Sequence, residues 1–398
     1  MITRMRIENY RSHRDSEFTL EPLTVFVGPC ASGKSNIFSA LGLLQGTAVR
    51  ELYECFDSGM YDFHRVRSLW LKGSDSIAFA INVSSLPDLP GWEAAYRLAV
   101  TKGADVYQVT EERLDAEEPE ESGGRRITCF HRKWSAEEHP SFGHVDPWDA
   151  TLLCRSGRST GIAPTDERMR VAQALQWSLS RLGSYRPDAG AIHAMNTVEQ
   201  SLWPGYRGEN LAACLNYVRL QRKDVFEAIV AKLRSFLPNL EGIIIHSIPP
   251  NRCTFSLSFR DFVEPVPAPL LSDGTTLSLA YLVISQLASP PLVLCLEEPE
   301  NGYHPRRLRE LMDMFVRLAY PADDAEPVQV LVSTHSPYLL DYFNGELEKC
   351  IRIVEMQDGR SVVTDWLSRK AERTPEQIEG DEEVPVGQLW AQGLYGGV

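Results

Sequence analysis

The amino-acid sequence predicts an α/β fold with a mostly parallel sheet, an antiparallel N-terminal lobe and an inserted helical subdomain. In both terminal thirds of the chain, short apolar runs typical of strands alternate with segments of helical periodicity. A glycine-rich loop at residues 28–35 stands between one such strand and one such helix. Strands that alternate with helices are typical of sheets whose strands run parallel.

The composition is that of an ordinary globular protein. Of 398 residues, 43% are hydrophobic and 24% charged, and 40 basic against 54 acidic residues give a formal net charge of −14. The apolar content suffices for a core, which excludes a largely disordered chain. The acidic balance argues against non-specific capture of nucleic acid by the whole molecule, but it does not exclude a local basic face.

We predict a cytoplasmic protein with no membrane contact. The longest apolar runs, 23–27 and 291–296, are far shorter than the roughly 20 residues that cross a bilayer. The N-terminal segment is charged and lacks the apolar stretch of a signal peptide. The eight cysteines are scattered without a CxxC pair, which predicts free thiols in a reducing compartment.

The N-terminal third predicts a hairpin, a buried strand, the glycine-rich loop and a helix, in that order. The hairpin is expected at 5–10 and 17–20, the buried strand at 23–27, and the helix at 35–46, ending near Gly46. Further strands of this lobe are expected at 76–84 and 94–101.

The rest of the chain predicts an acidic hairpin tip, a helical middle and a second alternation of strands and helices. The tip is expected at 114–126 and the helices of the middle at 167–183 and 209–237. The remaining strands are expected at 242–248, 252–260 and 291–300, and the helices at 270–289 and 306–319, followed by a strand–loop–helix at 328–343 and a hairpin at 349–366. The C-terminal tail, with Trp390 and Tyr395, is expected to pack on its own domain, with docking of a partner as the alternative.

The loop GPCASGKS at residues 28–35 matches the phosphate-binding pattern G-x-x-x-x-G-K-[ST] in full. Gly28 and Gly33 let the backbone curl around phosphate oxygens, and the helix that follows presents its positive N-terminus to the same anion. Lys34 is expected to reach the β- and γ-phosphates of a nucleotide triphosphate, and the Ser35 hydroxyl to bind Mg²⁺. The other residues expected to hold the nucleotide here are Pro29, Cys30, Ala31, Ser32 and Asn36.

Two later segments supply candidates for hydrolysis. The apolar run before Glu297 and Glu298 predicts a buried strand with two acids at its end. We expect Glu297 to hold Mg²⁺ and Glu298 to polarise the attacking water, although acids after a strand can also begin a solvated loop. The next strand ends at His335, which is either a γ-phosphate sensor or a structural histidine.

These segments together resemble the ABC-type ATPase heads of the RecF/SMC group and, more narrowly, the stand-alone AAA-family ATPases related to OLD proteins. The motifs are IENYRSHRD with LTVFVGPCASGKSN, then LLSDGTTLSLAYL, LCLEEPENGYHP and VLVSTHSP, in the family's order. They cover most of residues 1–50 and 265–345. The resemblance implies a P-loop NTPase of the ABC/RecF/SMC-head type.

The resemblance also assigns roles to residues that the chain's own pattern leaves open. LSDGT at 271–275 is similar to the ABC signature, which implies that Ser272 and Gly274 contact the γ-phosphate of ATP held by a second copy. From the residues alone this segment is a turn in which Ser272 or Asp273 caps a helix. His335 corresponds to the switch histidine. Arginines expected near the adenine or ribose are Arg4, Arg6 and Arg11.

Some residues differ from the family's pattern, and two features of its larger members are not expected in this sequence. Cys30 stands where the family usually has Asn, and Glu297 stands where ABC ATPases generally have Asp. Heptads that would form SMC-type arms are not found, and 398 − 335 = 63 residues follow His335, fewer than a Toprim nuclease domain needs. We expect three domains: an N-terminal ATPase lobe at 1–110, an inserted hairpin and helical subdomain at 111–265, and a C-terminal ATPase lobe at 266–398.

The implied function is an ATP-binding and ATP-hydrolysing switch that uses ATP and Mg²⁺, closes as a homodimer around ATP and acts in DNA repair or anti-phage defence. The alternative is a regulatory ATPase subunit that controls an effector protein encoded nearby and does not bind DNA. A transporter subunit is disfavoured by the 298 − 34 = 264 residues between Lys34 and Glu298. Candidate DNA-phosphate contacts, each of which is otherwise part of a solvated face, are Arg125 and Arg126, Arg132 and Lys133, Arg219, Arg222 and Lys223, and Arg306, Arg307 and Arg309.

Overall fold

The structure, a computed structural model, describes residues 1–56, 62–68, 76–102, 107–133, 151–157, 166–198, 203–286, 292–322, 326–374, 377–378, 381 and 384–396. It divides into two compact units. Unit 1 combines Met1–Leu182 with Phe343–Val398, and unit 2 is Gly183–Tyr342. The expected domain boundaries at 110 and 265 lie inside unit 1 and unit 2 respectively, and the three-domain division stays a prediction.

The predicted strands are all found, most of them longer by a few residues, and three short strands, at Leu182–Tyr185, Asn196–Thr197 and Val266–Pro267, were not predicted. The acidic tip expected at 114–126 is shorter than predicted, because the strand before it runs to Glu117. The described strands are β1 (Ile2–Tyr10), β2 (His13–Thr19), β3 (Leu23–Val27), β4 (Ser76–Leu86), β5 (Leu89–Lys102), β6 (Tyr107–Glu117), β7 (Arg126–Lys133), β8 (Leu182–Tyr185), β9 (Asn196–Thr197), β10 (Leu240–Ile248), β11 (Arg252–Phe259), β12 (Val266–Pro267), β13 (Val293–Glu297), β14 (Gln329–Thr334), β15 (Ile351–Gln357) and β16 (Arg360–Asp365).

The helices include those predicted, although two of them differ in extent and the one expected at 167–183 ends at Ser180, before β8; several short helices were not predicted. The described helices are α1 (Lys34–Val49), α2 (Leu52–Phe56), α3 (Phe63–Val66), α4 (Leu152–Gly157), α5 (Glu167–Ser180), α6 (Ala189–His193), α7 (Leu211–Gln221), α8 (Lys223–Phe236), α9 (Asp273–Gln286), α10 (Pro305–Ala319), α11 (Pro337–Leu340), α12 (Trp366–Ala371) and α13 (Val386–Ala391). The expected end of α9 at 287–289 lies outside the described residues.

The two differences have local causes. α1 passes Gly46 and ends at Val49, because this glycine serves packing: a Cβ there would lie 3.3 Å from the Cys55 sulfur. The single helix expected at 209–237 is two helices, since Arg222 leaves the helical region with φ −139° and ψ 68°.

In unit 1, an antiparallel sheet carries the first hairpin, in the order β2-β1-β4-β5-β6-β7. β3 pairs in parallel with β15, and β15 pairs antiparallel with β16 across the turn at Asp358 and Gly359. All five residues of β3 are buried, as its uninterrupted apolar run predicts. The phosphate-binding loop therefore leaves a rigid strand.

The C-terminal tail packs on unit 1, as expected. The rings of Trp366 and Tyr395 stack at 4.3 Å between centroids, and the Tyr395 hydroxyl donates to Asp381 at 2.6 Å. Trp390 is 6% exposed. These aromatic residues are part of the unit's own core.

In unit 2, β13 and β14 pair in parallel, with Glu297 opposite Ser333. Both strands are buried along their length, and their carboxyl ends lie side by side. The register places the acids that follow β13 next to the Ser-Thr-His segment that follows β14. A second sheet in this unit has the order β10-β11-β12, with β9 paired to β11.

Candidate functional site

The phosphate-binding loop in unit 1 has a backbone that only glycine fits at two positions. Gly33 has φ 107°, and a Cβ there would lie 2.1 Å from the Ser361 hydroxyl oxygen. A Cβ on Gly28 would lie 2.0 Å from the carbonyl oxygen of Val354. Ala31 also takes a left-handed conformation, with φ 63°. The loop is tightly curled between β3 and α1, as its phosphate-binding pattern predicts.

Lys34 lies across this loop. Its Nζ donates to the carbonyl oxygens of Gly28 at 2.6 Å and Pro29 at 2.8 Å, and the residue is 7% exposed. The ammonium group is therefore held beside the backbone that phosphates would approach. Cys30, Ala31 and Ser35 are exposed on the loop or on the first turn of α1.

Neutral side chains from β2 and β16 support the back of the loop. The Ser361 hydroxyl donates to the Ser32 carbonyl at 2.6 Å, and it lies 2.7 Å from the Ser12 hydroxyl. His13 Nε2 donates to the Gly33 carbonyl at 3.1 Å, and Nδ1 lies 2.8 Å from the Ser16 hydroxyl. Burial lowers the pKa of His13 to about 4, so the ring is neutral near pH 7.

The three arginines of the first hairpin have different partners. Arg11 reaches the oxygen of Asn36 on the first turn of α1, at 3.2 Å. Arg4 pairs with Glu17 at 2.9 Å, and Arg6 pairs with Asp15 at 2.8 Å. Only Arg11 of these contacts a residue beside the loop, and contact with the adenine or ribose stays a prediction for all three.

The acid pair, Glu297 and Glu298, ends β13 in unit 2. Glu297 is 6% exposed and accepts a hydrogen bond from the Tyr206 hydroxyl at 2.7 Å. Glu298 has φ 47°, unusual for a residue with a side chain, and its N–H donates to the Ser333 carbonyl at 2.9 Å. Strained backbone at an acidic strand end is characteristic of functional sites.

The Glu298 carboxylate contacts residues from three directions. Its Oε2 accepts from Arg186 at 2.5 Å and from the Asn301 amide at 3.1 Å. Its Oε1 lies 3.5 Å from His335 Nδ1. The structure thus brings Glu298 and His335 together, as expected from two adjacent parallel strands.

Glu300 is a third carboxylate here. Its Oε1 accepts from the Thr334 hydroxyl at 2.6 Å and from the His335 N–H at 3.2 Å, while its buried Oε2 has no hydrogen-bond partner among the described residues. Mg²⁺ prefers oxygen ligands of this kind. The unpartnered Glu300 oxygen gives this strand end unused capacity to coordinate a divalent cation, and Glu297, three residues earlier, is also buried. No cluster of three or more metal-binding side chains is found in the described chain.

The signature segment lies at the start of α9. Ser272 caps the helix, because its hydroxyl oxygen lies 2.9 Å from the Thr275 hydroxyl and 3.4 Å from the Thr275 N–H. Ser272 is exposed, and a Cβ on Gly274 would lie 3.2 Å from the Gly302 carbonyl. The helix end is accessible to a ligand or a partner.

Sequence reasoning missed several residues of both regions. Glu300 follows directly in the acidic motif, and its place there was a usable signal. The others are polar residues without a phosphate- or metal-binding pattern of their own, although Ser12 and His13 lie inside the motif IENYRSHRD, and only the fold brings them to the site. They are Ser12, His13, Ser16 and Ser361 in unit 1, and Arg186 and Tyr206 in unit 2.

In the described part of the chain, five of the ten candidate DNA contacts are paired with acids of the same unit. Arg132 is 12% exposed and binds the buried Glu112 at 2.8 Å, so it is a structural residue and not a phosphate contact. Further pairs are Arg125–Glu118, Arg126–Glu117, Arg222–Asp224 and Lys223–Glu227. The side chain of Arg306 lies outside the described residues. None of the helices in the described ranges is long and apolar enough to span a membrane.

The chain is similar to known proteins over most of its length. A family model described as "AAA domain, putative AbiEii toxin, Type IV TA system" matches residues 23–341. The OLD nuclease of Thermus scotoductus is 22% identical over 402 residues, which covers 92% of this chain and 64% of that protein. The chain therefore spans less than two thirds of that relative's length.

Solved structures show the same fold at low sequence identity. One is an SMC head bound to the C-terminal winged-helix domain of ScpA, with a TM-score of 0.53, 13% identity and coverage of 91% of this chain and 96% of that one. Another is the SMC head with an extended coiled coil bound to the C-terminal domain of ScpA, from Pyrococcus furiosus. It has a TM-score of 0.53, 14% identity and coverage of 95% and 99%. The predicted fold class, an α/β P-loop NTPase of the SMC-head type, is confirmed.

Proposed function

Because the chain belongs to this AAA-domain family of ATPases, we propose that it is an ATP-hydrolysing switch that closes as a homodimer around ATP. One observation carries the proposal: the phosphate-binding loop is fully formed, with two glycines that no other residue can replace and a lysine held beside its backbone. Such a loop is typical of sites that bind the phosphates of a nucleotide.

We assign the residues as follows. Lys34 and the backbone of residues 28–36 hold the phosphates, and Ser35 and Glu297 hold Mg²⁺, which when bound neutralises phosphate charge. Water attacks the γ-phosphorus, the bond to the β-phosphate oxygen breaks, and ADP and phosphate leave. Glu298 accepts the water's proton, and His335, 3.5 Å from it, contacts the γ-phosphate.

The dimer completes the proposal. Ser272 and Gly274 begin α9 at an accessible helix end, which suits contact with the γ-phosphate held by a second copy. ATP bound between two copies would stabilise the dimer by mass action, and loss of the γ-phosphate would let the copies part.

The test uses Glu298→Gln, which is nearly isosteric but cannot accept the proton. We expect hydrolysis to fall about 10²- to 10⁴-fold with ATP binding retained, and light scattering to show a dimer only with ATP and Mg²⁺. Adding Ser272→Arg should abolish that dimer through bulk and charge at the helix end. A dimer that forms equally with and without ATP, or that still forms after Ser272→Arg, would refute closure around ATP.

The downstream role has two candidates, DNA repair or anti-phage defence on DNA, and control of a separately encoded effector without DNA contact. Among the described residues, five of the ten candidate cations pair with acids of the same unit, and one of them, Arg132, is nearly buried, which favours the second. Titration of Glu298→Gln with duplex and single-stranded DNA, with and without ATP, decides between them. Affinity that falls steeply with salt supports the first candidate, because DNA binding releases counterions, and its absence supports the second.

A further inference from the structure

One loop structure in unit 2 brings two side chains to the acid pair. Arg186 follows β8 and Tyr206 precedes α7, and the Arg186 N–H donates to the Tyr206 carbonyl at 2.7 Å. A second backbone bond joins Asp188 to the Arg207 carbonyl at 3.0 Å, and the side chains of these two residues form an ion pair at 3.0 Å. The two segments are held together, so Arg186 and Tyr206 are delivered side by side.

Each acid receives one of these side chains. The Tyr206 hydroxyl donates to Glu297 Oε1 at 2.7 Å, and the Arg186 guanidinium donates to Glu298 Oε2 at 2.5 Å. Burial and the neighbouring Glu297 carboxylate raise the pKa of Tyr206 well above its ordinary value. In this contact the hydroxyl is the donor, because a carboxylate oxygen accepts.

The contacts leave the two acids with different surroundings. Arg186 and Asn301 both hold Oε2 of Glu298, while Oε1 faces His335. Glu297 is almost fully buried and has a neutral donor on one oxygen. Two adjacent carboxylates repel each other, and a cation on one and a phenol on the other offset that repulsion and fix both side chains.

We propose that Arg186 and Tyr206 are positioning residues for the acid pair. Arg186 orients the Glu298 carboxylate toward the attacking water, and Tyr206 orients the Glu297 carboxylate toward Mg²⁺. The inference rests on the proposed function, since it acts through Glu297 and Glu298. It adds two residues, 20 positions apart in the chain (206 − 186 = 20), that no motif of the sequence includes.

Arg186→Met tests the first half in the full-length protein. We expect kcat to fall about 10- to 100-fold while KM for ATP and the melting temperature stay near wild type, because only the aim of the base is lost. Arg186→Lys should recover part of kcat. Arg186→Met combined with Glu298→Gln should be no slower than Glu298→Gln alone. Arg207→Met, which breaks the ion pair with Asp188 in the same loop without touching either acid, is the matched control.

Tyr206→Phe tests the second half by binding rather than turnover. In the Glu298→Gln protein, a fluorescent ATP analogue titrated at increasing Mg²⁺ should need roughly 10-fold more Mg²⁺ for half-maximal binding after Tyr206→Phe. Binding in EDTA should be the same with and without Tyr206→Phe.

Three outcomes separate the claims. Unchanged or increased kcat in Arg186→Met overturns the role of Arg186, and an unchanged Mg²⁺ requirement overturns that of Tyr206. A fall in kcat for Arg207→Met equal to that for Arg186→Met would show that the loop acts only as structure. If Glu298→Gln hydrolyses ATP at the wild-type rate, the roles of Glu298 and Arg186 both fail, whereas absence of Mg²⁺-dependent ATP hydrolysis in the wild-type protein would overturn the proposed function.

Discussion

The phosphate-binding loop of unit 1 and the acid pair of unit 2 are supported in different ways. Behind the loop, hydroxyls and a neutral imidazole bind carbonyl oxygens of the backbone, through Ser361 on Ser32 and His13 on Gly33. At the acid pair, a guanidinium and a phenol bind carboxylate side chains, and Arg186 is 47% exposed on its side chain.

The two regions have different structural requirements. The loop must keep a backbone shape, so its supports are uncharged, buried and sensitive to added atoms. The carboxylates of the acid pair must keep a fixed orientation, so the side chains that hold them are hydrogen-bond donors that complement a negative charge. We therefore expect the loop to respond to changes in volume and burial, and the acid pair to respond to changes in charge.

The largest effect expected in unit 1 is that of Lys34→Ala. It removes the ammonium group beside the phosphates, and hydrolysis should fall at least about 10²- to 10³-fold, to background. The circular dichroism spectrum should not change, because the hydrogen bonds lost, to the carbonyls of Gly28 and Pro29 and to the Ser32 hydroxyl, lie within the loop. Phosphate release measures the rate, and normal turnover would remove the phosphate-binding role.

The second effect compares two glycines, one from each unit. Gly33→Ala forces a Cβ to 2.1 Å from the Ser361 hydroxyl at φ 107°, and it should cost about 2–5 kcal/mol of stability and abolish ATP binding. Gly274→Ala places a Cβ 3.2 Å from the Gly302 carbonyl, so stability should change by less than about 1 kcal/mol.

Chemical denaturation and binding of a fluorescent ATP analogue measure both glycine variants. ATP binding by the single protein should survive Gly274→Ala, while ATP-dependent dimer formation weakens. Equal losses of stability in the two variants would contradict the view that the phosphate-binding loop depends more strongly on its backbone conformation than the start of α9 does.

Much of the fold and of both motif regions could be predicted from sequence, because their signals are local. The run at 23–27 and the loop at 28–35 are contiguous, and so is the acidic end of β13. Periodicity did not reveal the break at Arg222, because α7 and α8 follow each other without a glycine or proline between them.

The supports of the two regions could not be predicted. Ser16 and Ser361 are 345 residues apart, and Arg186 and Glu298 are 112 apart. Single polar residues carry no periodic signal, and their role exists only after the chain has folded. The ion pairs of the candidate cations could not be predicted for the same reason. Arg132 pairs with Glu112 on the neighbouring strand, 20 residues earlier in the chain.

A third, smaller effect tests whether the support behind the loop must stay neutral. His13 has a pKa of about 4 in the folded protein, below its ordinary 6.5, because it is buried. The unfolded chain therefore binds the proton more readily, and stability that is complete above pH 6.5 is lost as the pH falls toward 4, by on the order of 3 kcal/mol.

Urea denaturation between pH 4.5 and 7.5 measures the contribution of His13. His13→Gln keeps a donor for the Gly33 carbonyl but cannot take the proton, so the stability curve should be flatter in this range. His64→Gln, at an exposed position, is the control and should follow the wild-type curve. The same slope in His13→Gln and wild type would refute the assignment.

The smallest effect concerns added volume on the open side of the loop. Cys30 is exposed, Cys129 is half-buried with a pKa raised to about 12 by burial, and the other six thiols are buried, so a mild alkylating reagent should modify Cys30 first. An acetamide adduct would crowd the loop that receives the phosphates, and we expect the affinity for a fluorescent ATP analogue to fall about three- to tenfold. Cys30→Ser treated with the same reagent should bind as before treatment, and ATP should protect the wild-type thiol. If the adduct, confirmed by mass spectrometry at Cys30, leaves affinity unchanged, the loop is sensitive to volume only on the buried side, where Ser12 and Ser361 lie against Gly33.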